Sequence, residues 1–377
     1  MNMNTEMNVL NNSYLRIDTD RVRANVRTIL QSLPVGVKLI PVLKDDAYGM
    51  GMVGMARTLS VFPELDMLAV AHVSEGVTLR REGIRQDILV MGGVLPFQYA
   101  AALQNDLTLA VSRTGMLGEL AALCAEQGRT LCVQIKIETG LHRIGVAPGR
   151  EMDELIEELK AAEPYIKVTG AFSHFAQAED EAVSQKQYDL FLKGVAQLED
   201  AGIQIPMRHI SGSESTELHP QYSLDAVRIG RRLYMDHPVK PLGGIREAVS
   251  WRSYVTHVEL RHAGDTLGYG GKFHLPADTL VATIGVGYGD GLNEALAACH
   301  APVLVHGKRC PLLACCMDQS FVDVTGLDVQ VGDEVTLFGC DRERNLLSSQ
   351  EVANLIGDNE GCGLTSALSS RVARLYE

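Results

Sequence analysis

The chain has 377 residues, an apolar fraction of 46% and a formal net charge of −13. That length calls for two domains rather than one, and the apolar content is enough to bury their cores, which excludes a disordered chain. The negative charge, with no basic run to offset it, argues against nucleic acid and anionic membrane surfaces and for a small-molecule partner. Residues 1–14 hold no cationic segment followed by an apolar core, and no apolar stretch is long enough to span a bilayer, so the expectation is a cytoplasmic protein. Eight cysteines fit neither a disulfide framework nor paired zinc ligands and read as thiols, most of them buried.

The first strong element is the run 38–44, in which Leu39, Ile40, Val42 and Leu43 read as a buried parallel strand ending at Lys44. Gly49 and Gly51 then allow a tight turn before a helical stretch. A lysine at the carboxyl end of such a strand is a candidate Schiff-base former, because barrel and open-sheet enzymes place their chemistry there. Further β-rich runs follow at 67–72, 87–91, 107–112, 131–138, 166–174, 207–211 and 226–230. Between them lie amphipathic helices, such as the face of Leu117, Leu120, Ala121 and Cys124 and that of Tyr188, Phe191, Leu192, Val195 and Leu198.

Eight βα units in succession predict a (β/α)8 TIM barrel. A doubly wound sheet would need a phosphate-binding glycine turn after its first strand, and none occurs there. After about Pro241 the helical period fades and short β segments alternate with glycines and prolines, with one late helix near 349–356. The expected division is a barrel over 12–240 and a β-rich domain over 241–377, with residues 1–11 free to pack on the latter.

Polar residues gather at the ends of these strands. Lys136 and Glu138 share a face of the fifth run, Arg143 follows it, His174 ends the sixth, His209 lies in the seventh and Arg228 in the eighth. A lone histidine or arginine at a strand end is usually structural; convergence on one barrel mouth is what points to chemistry. Ser213 and the backbone around Gly230 and Arg231 fall where a barrel's phosphate site is built. Lysine, phosphate site and arginine together suggest pyridoxal 5'-phosphate, whose carbonyl condenses with an amine and whose ring stores carbanion charge.

Over nearly its whole length the chain resembles the bacterial alanine racemases, fold-type III pyridoxal-phosphate enzymes. The resemblance is carried by the segments starting at Leu43-Lys44, Lys136-Ile137-Glu138, Ser173-His174, His209-Ile210-Ser211, Val227-Arg228, Gly268-Tyr269-Gly270, Gly287-Tyr288-Gly289, Cys316-Met317-Asp318 and Ser370-Arg371. It implies that Lys44 carries the cofactor and acts as base on one face of the substrate, while Tyr269 from the β-rich domain of a partner subunit acts on the other. A tyrosine with an ordinary pKa near 10 is a poor base at neutral pH, so its proton must be shared with a network. The resemblance makes His174 the partner of Tyr269 and His209 that of Arg228.

Arg228 would face the ring nitrogen of the cofactor; a guanidinium keeps its proton, so that nitrogen stays unprotonated. Tyr48, Ser213, Gly230 and Arg231 would hold the phosphate, and Arg143 would face the cofactor phenolate and substrate carboxylate. Lys136 matches a position often carbamylated to orient that arginine, Met317 and Asp318 a substrate-facing turn contributed by the partner subunit, and Tyr288 an entrance gate. A homodimer with shared active sites follows from the same resemblance, and no metal is implied.

The family pattern is broken at Asp45, Met50, Gly212 and Arg231. Most telling for substrate is 356–363, where the family commonly carries a tyrosine and this chain has none. A wider pocket there makes a serine or broad-specificity amino-acid racemase the alternative to an alanine racemase. Two other readings, a fold-type III amino-acid decarboxylase and a non-catalytic pyridoxal-phosphate carrier, lack support from the Gly-Tyr-Gly segment and from the β-rich domain respectively.

Overall fold

The computed structural model describes residues 10–235, 244–359 and 361–377. Two compact units account for them: 26–47 with 52–233, and the described residues before Val26 together with Tyr48–Gly51 and those from Tyr234 onward.

The chain's first strand, β1 (Ser13–Ile17), belongs to the second unit. It pairs antiparallel with residues 249–253, Leu15 opposite Trp251, and parallel with the closing strand Ala373–Tyr376. The division expected from sequence, which began the barrel at residue 12, is therefore displaced at its start. The reason is physical: the buried side chains of β1 mark it as a covered strand, but a pattern of burial carries no label for the sheet that covers it.

The first unit is the barrel. Strands β2 (Lys38–Pro41), β3 (Met67–Val70), β4 (Asp87–Val90), β5 (Thr108–Val111), β6 (Leu131–Lys136), β7 (Ile166–Phe172), β8 (Arg208–His209) and β9 (Ala226–Ile229) follow one another with helices between. β3 to β8 pair in sequence order, and β2 pairs parallel with β9. The ring closes at two seams. Val42 bridges Ala69, with Leu43 N donating to Ala69 O at 2.8 Å; across the other seam Arg228 N donates to Ser211 O at 3.0 Å. Such strands are covered on both faces, which is why they read as apolar runs rather than alternating ones.

Outside the ring, helix Leu117–Gln127 buries Leu117, Leu120 and Cys124 and stops at Gly128, whose φ of 62° is left-handed. Helix Glu181–Asp200 buries Phe191, Val195 and Leu198, and its start is capped by Asp180 accepting from Val183 N.

In the second unit a nine-stranded sheet among the described residues is organised around β10 (Val249–Arg261), which pairs with β1, Thr279–Ile284 and Glu334–Cys340. Trp251 and Phe338 meet in its core with ring centroids 5.9 Å apart. The late helix is present as Ser349–Leu355; two more, Glu294–Ala298 and Cys362–Ser366, are too short to leave a period in the sequence. Among the described residues no helix is long and apolar enough to cross a membrane.

Candidate active site

β2 ends by handing its last hydrogen bond to Ala69 O, and the chain then turns through a single left-handed loop over Lys44–Tyr48. Asp45, Asp46 and Ala47 have φ of 55, 50 and 56°, and Tyr48 has 58°. None of the four is glycine, and left-handed backbone costs an L-residue roughly 1–2 kcal/mol each. The glycines that the sequence offers for a turn come only afterwards, at Gly49 and Gly51. Compensation is local: Ala47 N donates to Leu43 O at 2.9 Å, Asp45 N to Glu75 Oε1 at 2.6 Å, and Met52 N to Asp46 Oδ1 at 2.7 Å.

At the ends of β7 to β9 lies a buried polar network centred on Arg228. Its Nη1 donates to His209 Nδ1 at 2.7 Å and His209 O at 3.2 Å; its Nη2 donates to Ser173 O at 2.7 Å, Ile210 O at 3.0 Å and His174 Nδ1 at 3.1 Å. A guanidinium only donates, so both imidazoles accept through Nδ1 and carry their proton on Nε2. His209 spends that proton on Gln134 Oε1, 2.7 Å away. Both rings are held neutral. Burial, then Arg228, lowers His174 to about 3, and the same causes keep His209 well below the usual imidazole range.

Phe172 forms the apolar wall of this network. His209 stacks on it at 5.2 Å, and Arg228 and Lys136 lie over its ring at 5.6 and 5.7 Å. Lys136 is buried, donates to Ile137 O at 3.0 Å and Ser173 Oγ at 3.3 Å, and is pushed down to about 7 by burial first and by Arg228 next. Glu138 turns away to accept from the backbone N–H groups of Gly140 and His142.

Arg228, Arg143 and Lys44, together with Lys136 when it is protonated, act electrostatically on His174. The barrel rim is thus a cationic basin around a neutral imidazole. Half-buried Ser213 and buried Arg231 follow β8 and β9, and Gly212 beside them has room for no side chain: a Cβ there would stand 2.9 Å from His174 Cε1. An aldehyde carrying a phosphate and a phenolate suits that donor set, with an amine for the carbonyl and cations for the anionic groups.

The remaining candidates lie in the second unit. Tyr269 is 72% exposed, Met317 48% and Tyr288 37%. Tyr288 N donates to Cys316 O at 3.0 Å and Gly289 N to Met317 O at 2.9 Å, so the two turns are tied together. Asp318 pairs with Arg371 at 2.7 Å, and the same guanidinium reaches Asp290 at 3.2 Å. Tyr48, counted with this unit, precedes Gly49, where a Cβ would stand 2.0 Å from Thr365 O. Sequence reasoning passed over Gln134, Phe172, Glu75 and Arg371 as site residues. Gln134 left a signal, a polar side chain in step with Lys136 along a buried strand, and Arg371 lay in one of the segments that carry the resemblance.

A barrel with a lysine after its first strand, a buried arginine among neutral imidazoles and a β-rich unit defines a class of barrel enzymes. The comparisons are more specific. Residues 17–238 match the family model for the alanine racemase N-terminal domain and 248–376 that for the C-terminal domain. An alanine racemase of Methanococcus maripaludis is 32% identical over 371 residues, 96% of this chain and 98% of that protein, and one of Halothermothrix orenii is 33% identical over 372 residues, 97% of each. The solved alanine racemase of Streptomyces coelicolor superposes with a TM-score of 0.91 at 28% identity, covering 98% of this chain and 99% of its own. That of Bartonella henselae with covalently bound pyridoxal phosphate gives 0.83 at 23%, covering 97% and 99%, a likeness of fold. The chain belongs to the alanine racemase family.

Proposed function

We infer that this protein is a pyridoxal-phosphate-dependent racemase that interconverts L- and D-alanine. The observation that carries the reading is the buried network at the barrel rim, where Arg228 donates to His209 Nδ1, His174 Nδ1 and the carbonyls at the strand ends while Lys136 shares its Phe172 wall. When bound there, pyridoxal phosphate would supply a carbonyl for the amine and an electron sink for the pair left when the Cα proton departs.

The chain's own residues do the rest. Lys44 takes or returns the Cα proton on one face of the substrate, and Tyr269, offered by the second unit of a partner subunit in a cytoplasmic homodimer, does so on the other. Inversion requires both. His174, neutral with its proton on Nε2, serves the phenol as a partner able to donate without adding charge. Arg228, fixed by its carbonyl and imidazole acceptors, presents a cation that cannot lose its proton and so cannot protonate the ring nitrogen of the cofactor. Arg143 takes the substrate carboxylate, and Tyr48, Ser213, Gly230 and Arg231 hold the phosphate. Lys136, lowered to about 7, is substantially neutral under physiological conditions and nucleophilic enough for carbon dioxide to carbamylate it. Met317, Asp318 and the gate Tyr288 line the substrate entrance.

Purified protein loaded with cofactor and given single L- or D-amino acids should form the opposite enantiomer of alanine faster than that of any other. Lys44→Ala should lose this activity together with the borohydride-fixable cofactor. A cofactor adduct mapped to another lysine, or amine release with carbon dioxide instead of inversion, would overturn the reading.

A further inference from the structure

Glu75 is the third residue of helix Val73–Arg81, and a carboxylate at that position ordinarily accepts the free N–H groups at a helix start. Its Oε2 does so, accepting from Ala71 N and His72 N at 2.8 Å each. The other oxygen does something else. Oε1 accepts from Asp45 N at 2.6 Å, thirty residues earlier in the chain.

The N–H held in this way belongs to the peptide that joins Lys44 to Asp45. The plane of that peptide sets ψ of Lys44, and with it the direction in which the side chain leaves the backbone. Three neighbouring anchors act at other points: Leu43 N on Ala69 O holds the strand end, Ala47 N on Leu43 O closes the loop, and Met52 N on Asp46 Oδ1 ties its exit. A left-handed run of non-glycine residues persists only where neighbours over-determine it. Glu75 supplies that constraint at the peptide adjoining the amine-bearing residue.

We propose that Glu75 is a positioning residue for Lys44, its carboxylate bonding the lysine's own peptide to the next βα unit and thereby aiming the amine. The proposal rests on Lys44 being the cofactor lysine. Capping alone needs one acceptor oxygen; positioning needs both. Glutamine separates the two roles, since it keeps an oxygen for Ala71 and His72 but sets an N–H2 against Asp45 N–H.

The test compares unaltered protein with Glu75→Gln, Glu75→Ala and Lys44→Ala. Glu75→Gln apoprotein should melt within a few degrees of the unaltered apoprotein. On addition of pyridoxal phosphate it should re-form the covalent link, followed by absorbance, at least about tenfold more slowly, and kcat should fall about 10- to 100-fold with KM little changed. Glu75→Ala should show the same losses and a lower melting temperature. In the unaltered protein, hydrogen exchange at the Asp45 amide should be slow, a readout independent of whether any variant folds. Link formation and kcat of Glu75→Gln equal to those of unaltered protein, or unprotected exchange at Asp45, overturns the proposal and leaves Glu75 a helix cap. A borohydride-fixed adduct retained by Lys44→Ala overturns the underlying assignment as well, and the mapped lysine tells the two failures apart.

Discussion

The rim of the barrel and the Tyr269–Tyr288–Met317 face of the second unit carry their candidate residues in opposite ways. At the rim, Arg228, His209, Gln134 and Lys136 are almost wholly buried, and their polar atoms bond to one another or to the ends of strands. On the other face, Tyr269, Met317 and Tyr288 project from turns into solvent, and order resides in the backbone bonds and the Arg371 pairs beneath them. A buried cation among carbonyls is rigid because leaving it or its acceptors unbonded is costly. An exposed tyrosine has no such restraint. The rim is preorganised within one chain, whereas on the proposed reading the face would gain its function from what is placed against it.

That contrast is broken most sharply by a paired substitution. Arg228→Met should abolish racemisation and also destabilise the protein by about 3 kcal/mol or more, since it strips donors from buried acceptors. Tyr269→Phe should reduce racemisation comparably while shifting unfolding by less than about 0.5 kcal/mol, as suits an exposed side chain. Denaturant titration beside kinetics checks both. If Tyr269→Phe unfolds as readily as Arg228→Met, the two regions are not built differently.

Mixing inactive Lys44→Ala and Tyr269→Phe proteins under subunit exchange tests the shared site. Random hybrids would hold one intact site in half the dimers, and about a quarter of full activity should return. No recovery with exchange demonstrated by a tagged subunit would refute sharing.

Lys136 sharpens the comparison through pH. Its pKa falls from 10.5 to about 7 because burial disfavours the ammonium. Between those values the unfolded chain binds a proton that the folded one does not, so this residue's contribution makes the fold more stable as pH rises from about 7 toward 10.5; below 7 the penalty is constant. The stability of unaltered protein relative to Lys136→Met should therefore climb through that window by at most about 5 kcal/mol. A flat difference would place the lysine's titration outside it. Added bicarbonate should lessen the slope if the amine is carbamylated.

The smallest expected effect concerns the substrate. Helix Cys362–Ser366 begins at the end of the segment that lacks the family's tyrosine, and its Thr365 packs on Gly49 beside Tyr48. Gly361 is buried with φ of 62°, a poor host for a tyrosine, so Cys362→Tyr is the informative change. It should depress serine turnover relative to alanine by about tenfold, the low end for a pocket difference of one side-chain group. An unchanged ratio in folded, cofactor-loaded protein would remove this segment from the specificity question.

The sequence by itself determined the barrel and the β-rich unit, and it nominated the candidate site. Runs of Leu39, Ile40, Val42 and Leu43 and their seven successors are apolar because both faces of each strand are covered, and that demand is written in every residue. Lys44, Lys136 and Arg228 stood out because ionic residues at the ends of such strands are exceptions to it. The resemblance had already paired His209 with Arg228, as observed at 2.7 Å; the other partners were decided by the tertiary structure alone. Arg228 meets His174 54 residues away and His209 meets Gln134 75 residues away, because ring closure brings their strands together. His174, assigned to Tyr269 on resemblance, has Arg228 on its Nδ1. β1 joined the second sheet rather than the barrel, and the left-handed loop formed without glycine, held by Glu75. Periodicity records how deeply a residue is buried; only the closed fold decides which donor faces which acceptor.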